Sequence, residues 1–489
     1  MIDFAHLAHY RENNRIEAKK ALGGLPESIW ETYSAFANTM GGLILLGVIE
    51  EADKSLRAVG VPDPQWLMED FWERVTDTAR VSANILSRED VFVETVEGKP
   101  IVVIQVPRAQ RQDRPIYLDE NPLRETYRRN GEGDCRCTPE EVRTMLRDAA
   151  TQSQDMRLLE EFGLEVLDFS SFRRYRSQME LCHPGHAWEQ DDDPVFLYKI
   201  GAVGRDAHGA LHPTGAGLLM FGFAYEIVRE FPHYFLDYRE DLPGKSLWAH
   251  RIVSTSGEWS GNLFDFYGLV SQRMAQGSTV VAGAAVSEGL CEALANCLVN
   301  ADYYGRQGVV IVKKPDRIAF SNPGGFRVDL DTAISGGTSD PRNAGLIKMF
   351  NLIDVGHRSG SGIPNLFNVW NRQGWPPPEI QESFDPARIT ITLWMGAVPG
   401  RPVQETDRSS GEIDKNASTR KEMASRKTLL QKAAIVDYLT ENPQGTSAQI
   451  ADLLGVGLKR VRKLLAQMTA EGTLEPQGGN RYRTYRLKD

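Results

Sequence analysis

The chain has 489 residues, of which 41% are hydrophobic and 25% charged, and its formal net charge is −10. This length predicts about three domains, and the composition is typical of a soluble globular protein. The sequence contains no apolar run close to the roughly 18 residues that a membrane span requires, so we expect no membrane partner.

The chain start and the cysteines indicate a compartment. The first residues have no basic leader followed by an apolar block, and the chain has five cysteines, a low and odd number. Disulfide-stapled secreted domains carry more cysteines, usually in even numbers. We therefore predict a cytoplasmic protein.

Residues 1–148 are predicted to form an α+β domain. A helix over 25–38 leads through a Gly-Gly turn into an apolar strand over 43–48. Strands over 91–96 and 101–106 flank Glu-Gly-Lys-Pro, which is a hairpin signal.

Acidic residues stand close to the strands of this domain. Glu12 and Glu17 precede the helix, and a third acid follows the strand over 43–48; it is Glu50, our preference, or else Glu51 or Asp53. Carboxylates that meet at a strand end can bind divalent ions, which activate water and stabilise charge on a phosphodiester. The alternative is a set of surface acids that pair with lysines such as Lys19 and contribute little.

The same residues resemble the Schlafen/AlbA-type domain over roughly 8–145. The shared motifs are Glu-Asn-Asn-Arg-Ile-Glu-Ala-Lys at 12–19, Ala-Phe-Ala-Asn-Thr-Met-Gly-Gly at 35–42 and Tyr-Arg-Arg-Asn-Gly at 127–131. The resemblance to its ribonuclease branch implies a catalytic set of Glu12, Glu17, Lys19 and Glu50. In that branch the three acids would hold Mg²⁺ or Mn²⁺ and Lys19 would contact a phosphate. Many AlbA-type domains are implicated only in nucleic-acid binding.

Residues 149–275 are predicted to be a mixed connecting region that packs on the module formed by residues 276–398. In that module a helix over 292–302 would place Glu292, Asn296 and Asn300 on one face. A carboxylate and amide oxygens suit a Mg²⁺ ion that nucleotide phosphates also hold, with Asn296 as a metal ligand. Two glycine turns follow, at 320–325 and 358–364, where backbone could approach a ligand closely.

This order of motifs resembles the GHKL ATPase superfamily, and more narrowly its divergent module in proteins called "RecG-like" or "predicted transcriptional regulator". The resemblance implies a Bergerat-type α/β sandwich that binds ATP. The implied nucleotide contacts are Glu292, Asn296, Asn300, Asp302, Asn322, Gly324, Gly325, Arg342, Gly360 and Gly362. Asn300-Ala-Asp-Tyr replaces the usual His-Arg-Asp-Tyr, and Asn322 replaces the adenine-reading aspartate, so we expect binding with slow hydrolysis.

The C-terminal part is predicted to contain a flexible linker over 399–426 and a winged helix-turn-helix over 427–489. Residues 426–489 carry 11 Lys/Arg and 6 Asp/Glu, which is a basic excess on an acidic chain. A helix over 458–470 would bury Val461, Leu464, Leu465 and Met468 and present a basic face to nucleic acid. The predicted nucleic-acid contacts are Lys459, Arg460, Arg462, Lys463, Arg481 and Arg483. The alternative is a winged helix that contacts protein.

Together these patterns predict an α+β multidomain protein that binds ATP and acts on nucleic acid. The leading hypothesis is a metal-dependent endoribonuclease, on structured RNA such as tRNA, that nucleotide binding gates and that serves phage defence or stress. The rival is a non-catalytic, ATP-responsive DNA-binding transcriptional regulator, and a weaker third option is an assembly factor. We expect a homo-oligomer, and the sequence shows no Gly-x4-Gly-Lys-Ser/Thr loop of a helicase motor.

Overall fold

The structure is a computed structural model. It describes residues 3–241, 248–276, 283–328, 330–337, 340–356 and 362–396 and, nearer the C-terminus, residues 432, 435–436, 438–440, 442, 444–454, 458–470, 473–477 and 483–488. The chain divides into two compact units, one spanning Ile2–Val403 and the other containing Gln404–Asp489. No described helix is long and apolar enough to cross a membrane.

The N-terminal domain, residues 3–150, is built on a four-stranded mixed sheet. Its strands in spatial order are β1 (Ile16–Lys19), β2 (Gly42–Leu46), β6 (Lys99–Val106) and β5 (Val91–Val96). Strands β1 and β2 are parallel, and the other pairs are antiparallel. The predicted hairpin over 91–106 is confirmed, although its second strand begins at Lys99.

Both faces of this sheet are covered, as the alternation along β6 shows. Val102, Ile104 and Val106 belong to the core formed with helices α1 (Ile29–Asn38) and α2 (Pro64–Val75). Ile101 and Val103 face the other way, toward a smaller core that includes Leu7. Side chains two apart share a face of a strand, so one apolar run fills both cores.

The domain also contains two short hairpins and a third α-helix. The hairpins pair β3 (Val48–Glu50) with β4 (Leu56–Ala58) and β7 (Tyr127–Asn130) with β8 (Gly133–Arg136), and the helix is α3 (Pro139–Ala149). A capping box starts α3: Thr138 Oγ1 accepts from Glu141 N, and the Glu141 carboxylate accepts from Thr138 N.

The central domain, residues 151–396, packs helices on a six-stranded mixed sheet. Its strands in spatial order are β12 (His250–Val253), β11 (Leu236–Glu240), β13 (Val309–Lys313), β14 (Arg317–Pro323), β16 (Ala387–Trp394) and β15 (Glu379–Phe384). A separate two-stranded sheet pairs β9 (Val203–Arg205) with β10 (Leu211–Pro213).

The helices of this domain share one apolar core with the large sheet. They are α4 (Phe169–Cys182), α5 (Asp193–Ile200), α6 (Gly215–Phe221), α7 (Ala224–Glu230), α8 (Leu263–Gln276), α9 (Ala284–Val299), α10 (Leu330–Ser335), α11 (Ala344–Asn351) and α12 (Gly362–Arg372). The core runs from Leu159 to Leu393 and includes the fully buried Trp370. The stretch before Ala284 therefore contributes to the same hydrophobic core as the motif-bearing stretch after it.

The C-terminal unit contains helical residues between 432 and 440, a short strand, two helices and a final pair of strands. The strands are β17 (Gly445–Thr446), β18 (Leu474–Gln477) and β19 (Thr484–Leu487), and the helices span Ser447–Leu454 and Leu458–Ala470. The sheet order β17-β19-β18 places a hairpin after the last helix. This order agrees with a winged helix, which remains a prediction. The predicted linker lies outside the described residues.

Candidate functional site

The central domain contains a cleft whose empty space, including the part open to solvent, is about 910 Å³. Helix α9 lines one side, the end of β14 and the loop after it line another, and apolar side chains of β16 line the base. The residues around it include Asn296, Val299, Asn300, Asn322, Gly325, Arg327, Asp340, Arg342, Gly362, Ile389 and Ile391. A concave site with an apolar base and a few polar groups is typical of small-molecule binding.

The row of Glu292, Asn296 and Asn300 that was predicted on one helix face is only partly helical. Helix α9 ends at Val299 and Asn300 is its C-cap, so the prediction that the helix continues to residue 302 is wrong. Asn300 Nδ2 donates to the Asn296 carbonyl at 3.0 Å, which is a local bond that caps the helix end. Asn296 and Asn300 nevertheless both line the cleft.

The predicted acid of this site, Glu292, lies beside the start of α12. A Cβ atom placed on Gly362 would overlap Glu292 Oε1 and would come within 3.1 Å of Asn296 Nδ2. Glycine at 362 therefore allows α12 to pack directly on these two side chains. Asn296 lines the cleft, whereas Glu292 is not among the residues that line it. A carboxylate and an amide oxygen are donors of the type that suits Mg²⁺.

Asn322 is buried where strand β14 ends. Its Nδ2 is 3.2 Å from the carbonyl of Pro323 and 3.4 Å from that of Asn300. The side chain lines the cleft, as a residue that reads a base would.

Arg342, predicted to contact a phosphate, is held by protein groups. Its Nε donates to the Asn300 carbonyl at 3.2 Å, its Nη2 donates to the Gly325 carbonyl at 2.9 Å, and its Nη1 pairs with Asp148 of α3. Gly324 has φ +96°, and a Cβ there would lie 2.8 Å from Arg342 Nη2. The role as a phosphate contact stays a prediction, and the structure shows a clamp that holds the glycine turn.

The other predicted contacts lie at the margin of the cleft or beyond it. Asp302 faces Arg147 at 3.3 Å and does not line the cleft. Gly325 lines it, and a Cβ on this residue would lie 2.7 Å from Glu382 Oε1. Gly360 lies outside the described residues.

The loops around the cleft are tied to the N-terminal domain by ion pairs. Arg108 forms two bonds with Glu382, of 2.6 and 2.9 Å, and Glu382 Oε1 also accepts from Phe326 N at 2.8 Å. Arg111 pairs with Asp340, which lines the cleft. These partners are hundreds of residues apart in sequence, and no local pattern pointed to them. They connect the N-terminal domain to the backbone that surrounds the cleft.

The predicted catalytic acids of the N-terminal domain lie close together, but both carboxylate oxygens of Glu17 are already paired with basic side chains. Its Oε2 is 2.7 Å from Arg129 Nη2 and its Oε1 is 3.0 Å from Lys19 Nζ. Arg129 is only 1% exposed, and its Nη1 also pairs with Asp134 at 2.7 Å. Buried arginine that bridges two carboxylates is a common structural arrangement.

Glu12 and Glu50 complete this acidic group. Burial raises the pKa of Glu12, and the nearby carboxylates of Glu17 and Glu50 raise it further. Glu12 Oε1 accepts from Ala18 N at 3.0 Å. Glu50 Oε2 faces Lys54 at 3.3 Å, whereas its Oε1 is buried with no hydrogen-bond partner among the described residues. Crowded acids with a perturbed pKa mark candidate functional sites.

These three acids do not form the metal site that the sequence suggested. Within the described ranges, no three His, Cys, Asp or Glu side chains are arranged to hold a metal ion. In addition, Arg129 and Lys19 take both oxygens of Glu17, and a backbone amide takes one oxygen of Glu12. The residues as they stand do not fit a resident divalent ion at this place.

The helix Leu458–Ala470 contains four of the basic residues predicted to contact nucleic acid. Val461, Leu464, Leu465 and Met468 are buried, as predicted, and Arg462 and Lys463 are exposed. Arg483 is exposed, the side chains of Lys459 and Arg460 are not described, and Arg481 lies outside the described residues.

Comparison with known proteins identifies three segments. Residues 12–138 match the family model described as "Schlafen, AlbA_2", and residues 307–391 match "Putative ATP-dependent DNA helicase recG C-terminal". Residues 143–237 match "Domain of unknown function (DUF8451)". The chain thus contains a Schlafen AlbA_2 domain and a recG C-terminal, HATPase-type domain, and both resemblances seen in the sequence are confirmed. The second match begins after α9.

Two solved structures are similar to the chain. The DIP2311 protein from Corynebacterium diphtheriae is 16% identical with a TM-score of 0.38, and the match covers 97% of this chain and 95% of that one. The N-terminal domain of a putative ATP-dependent DNA helicase RecG-related protein from Nitrosomonas europaea is 32% identical with a TM-score of 0.23, covering 28% of this chain and 95% of that one. No curated protein matches.

Proposed function

We propose that the chain binds ATP in the cleft of its central domain and that ATP controls how the protein engages nucleic acid. The observation that carries this proposal is the contact between the two matched domains. Arg108 and Arg111 of the AlbA_2 domain are ion-paired to Glu382, which holds the loop at 326, and to Asp340 on the cleft wall. A ligand that shifts those loops must also change the contacts of the AlbA_2 domain.

Different residues of the cleft would contact different parts of the nucleotide. Asn322 would read the adenine ring over the apolar base formed by Ile389 and Ile391, and Glu292 and Asn296 would hold a Mg²⁺ ion that neutralises phosphate charge. An amide at 322 and the absence of the family's His-Arg pair before Asp302 favour slow hydrolysis. The nucleotide would then act mainly as a bound signal.

For the part of the function that involves nucleic acid, the geometry favours a transcriptional regulator, which binds nucleic acid without cleaving it. Both oxygens of Glu17 are ion-paired, and the N-terminal acids do not fit a metal ion. The exposed Arg462 and Lys463 on the helix Leu458–Ala470 supply a basic surface that suits the major groove. We therefore assign DNA contact to that helix and, as a second surface, to the AlbA_2 domain, which the ion pairs to Glu382 and Asp340 link to the nucleotide cleft.

Duplex DNA binding should depend on Arg462 and on ATP. We expect Arg462→Ala to weaken binding and to lower the slope of log affinity against log salt by about one, because one phosphate contact is lost. MgATP should change wild-type affinity by about 5-fold or more, as a typical coupling between sites does. Fluorescence anisotropy over a salt series measures both, with the exposed Gln467→Ala on the same helix as the control. Unchanged slopes for Arg462→Ala would exclude this helix as the contact.

The second candidate is the nuclease, acting on RNA such as tRNA in phage defence or stress, and the buried, unpartnered Oε1 of Glu50 beside Glu12 favours it. In this case Glu17→Gln should abolish cleavage of labelled RNA in Mg²⁺ or Mn²⁺ without loss of RNA binding. The matched control is Asp134→Asn, which removes the other carboxylate from Arg129 and should leave cleavage intact. The regulator proposal predicts instead that none of the three proteins cleaves RNA.

A further inference from the structure

The cleft wall contains an arginine that was not among the predicted nucleotide contacts. Arg327 lies two residues after the glycine turn Gly324-Gly325 and lines the cleft. Among the described residues that line the cleft, three carry a charge, namely Arg327, Asp340 and Arg342. The protein groups around the two arginines determine which of them can bind an anion.

The guanidinium of Arg342 is fully occupied by the protein. Its Nε donates to the Asn300 carbonyl, its Nη2 donates to the Gly325 carbonyl, and its Nη1 pairs with Asp148. Only 8% of the side chain is exposed. A phosphate that bound Arg342 would have to displace these partners and would leave Asp148 without its counter-charge, which is costly in a buried pair.

Arg327 is equally buried, with 8% of its side chain exposed, but the protein uses its donors poorly. Its Nε is buried and has no hydrogen-bond partner within the part of the chain that the structure describes. Its Nη1 donates to the Pro341 carbonyl at 3.1 Å, whereas its Nη2 is 3.5 Å from the Asp148 carbonyl and 3.6 Å from Asp340 Oδ1. Buried donors are normally satisfied, so a ligand in the cleft could supply the acceptor that Arg327 lacks.

The nearby carboxylates belong to other arginines. Asp340 pairs more closely with Arg111, and Asp148 pairs with Arg342. Burial lowers the pKa of Arg327, although Asp340 and Asp148 act in the opposite direction. The charged guanidinium is therefore incompletely compensated at this place, and a neighbouring anion would stabilise it.

We propose that Arg327 binds the phosphates of the nucleotide in the cleft, an inference that rests on the proposed ATP site. A guanidinium presents its donors in a planar fork that matches two phosphate oxygens, and Nε forms part of one edge of this fork. The Nε of Arg327 is the donor without an acceptor. The side chain also follows a glycine turn, where backbone can approach a ligand closely.

Phosphate binding at Arg327 would act directly on the contact with the N-terminal domain. Arg327 faces Asp340, and Asp340 is paired with Arg111, which follows β6 of that domain. A phosphate competes with Asp340 for the guanidinium of Arg327 and adds negative charge beside the Arg111–Asp340 pair. ATP should therefore change the affinity for nucleic acid, whereas adenosine, which fills the base site without phosphates, should not.

Arg327→Met should lower the affinity for MgATP by about 10- to 100-fold, the effect of losing hydrogen bonds to a charged group, and should leave the affinity for adenosine unchanged. Titration calorimetry on the full chain measures both. Arg327→Lys keeps the charge without the fork and should recover part of the lost affinity. The control is Arg372→Met, an exposed arginine at the end of α12, which should bind MgATP like the wild type.

Stability without ligand separates a ligand contact from a structural residue. Because the donors of Arg327 are poorly used, Arg327→Met should unfold at a Tm equal to or above that of the wild type. Arg342→Met, which breaks a buried ion pair, should unfold at a clearly lower Tm. The proposal fails if Arg327→Met does not fold or is as unstable as Arg342→Met. It also fails if Arg327→Met loses affinity for adenosine and for MgATP equally.

The remaining outcomes distinguish this proposal from the proposed ATP site. Equal affinities of the wild type and Arg327→Met for MgATP would exclude the phosphate contact and leave the ATP site intact. If the wild type binds no MgATP, tripolyphosphate is titrated: binding that depends on Arg327 supports a phosphate site without a nucleotide, and no binding overturns both proposals. With MgATP saturating, a shift of nucleic-acid affinity in Arg327→Met as large as in the wild type would exclude the link through Asp340.

Discussion

Asn296→Ala is expected to lower the affinity of the protein for MgATP by about 10- to 100-fold, the effect of removing a group that supports a bound metal. Asn296 lines the cleft and touches the start of α12 at Gly362. The loss should lie in the Mg²⁺-dependent part of binding, so the affinity for ATP in EDTA should be nearly the same in both proteins. Calorimetry with and without Mg²⁺ measures this difference directly.

Unfolding would not explain such a loss. Alanine is a better helix former than asparagine, and position 296 is inside α9. The helix propensity of the new residue therefore does not destabilise the fold. The control is Asn371→Ala, an exposed asparagine on the adjoining helix α12, which should bind MgATP like the wild type. An equal loss of affinity with and without Mg²⁺ would contradict the assignment of Asn296 to the metal.

Glu382→Gln is expected to reduce the free energy of unfolding by about 3–5 kcal/mol, because it leaves the nearly buried Arg108 without its counter-charge. Only 6% of the Glu382 side chain and 11% of the Arg108 side chain are exposed, so water cannot replace the lost partner. The same change should lower the response of nucleic-acid affinity to MgATP, since Glu382 also holds the backbone of Phe326 at the cleft. Urea titration measures the first effect.

A second ion pair between the same two domains serves as a control that separates this effect from a general loss of ion pairing. Glu140 of α3 pairs with Arg306 of the central domain, and Arg306 is 74% exposed. Glu140→Gln should therefore change the free energy of unfolding by no more than about 1 kcal/mol. Equal effects for the two Glu→Gln variants would show that the Arg108–Glu382 pair has no special role.

The sequence predicted those features that depend on local pattern. The hairpin over 91–106 and the buried face at 461–468 follow from periods of two and of 3.6 residues, which neighbouring residues define. The order of the motifs, which resembles that of a known superfamily, predicted one site for Asn296 and Asn322, and both residues line the cleft, whereas Glu292 does not. The helix end at Val299 was missed, because Asn300 continues the spacing of Glu292 and Asn296, although its side chain caps the helix by donating to the Asn296 carbonyl.

Features that depend on distant residues could not be predicted. Nothing near Glu17 in the sequence shows that Arg129, 112 residues away, occupies its carboxylate. The same holds for Arg108 and Glu382, which are 274 residues apart. Both pairings bear on the proposed function: the first argues against a metal at the N-terminal acids, and the second links the AlbA_2 domain to the cleft.

The most direct test of the central claim is the affinity of the full chain for duplex DNA and for single-stranded RNA, measured with and without MgATP in the wild type and in Asn296→Ala. We predict that MgATP shifts the affinity of the wild type for at least one of these nucleic acids and leaves the affinities of the variant unchanged. Equal affinities with and without MgATP in the wild type, under conditions where calorimetry shows ATP bound, would contradict it.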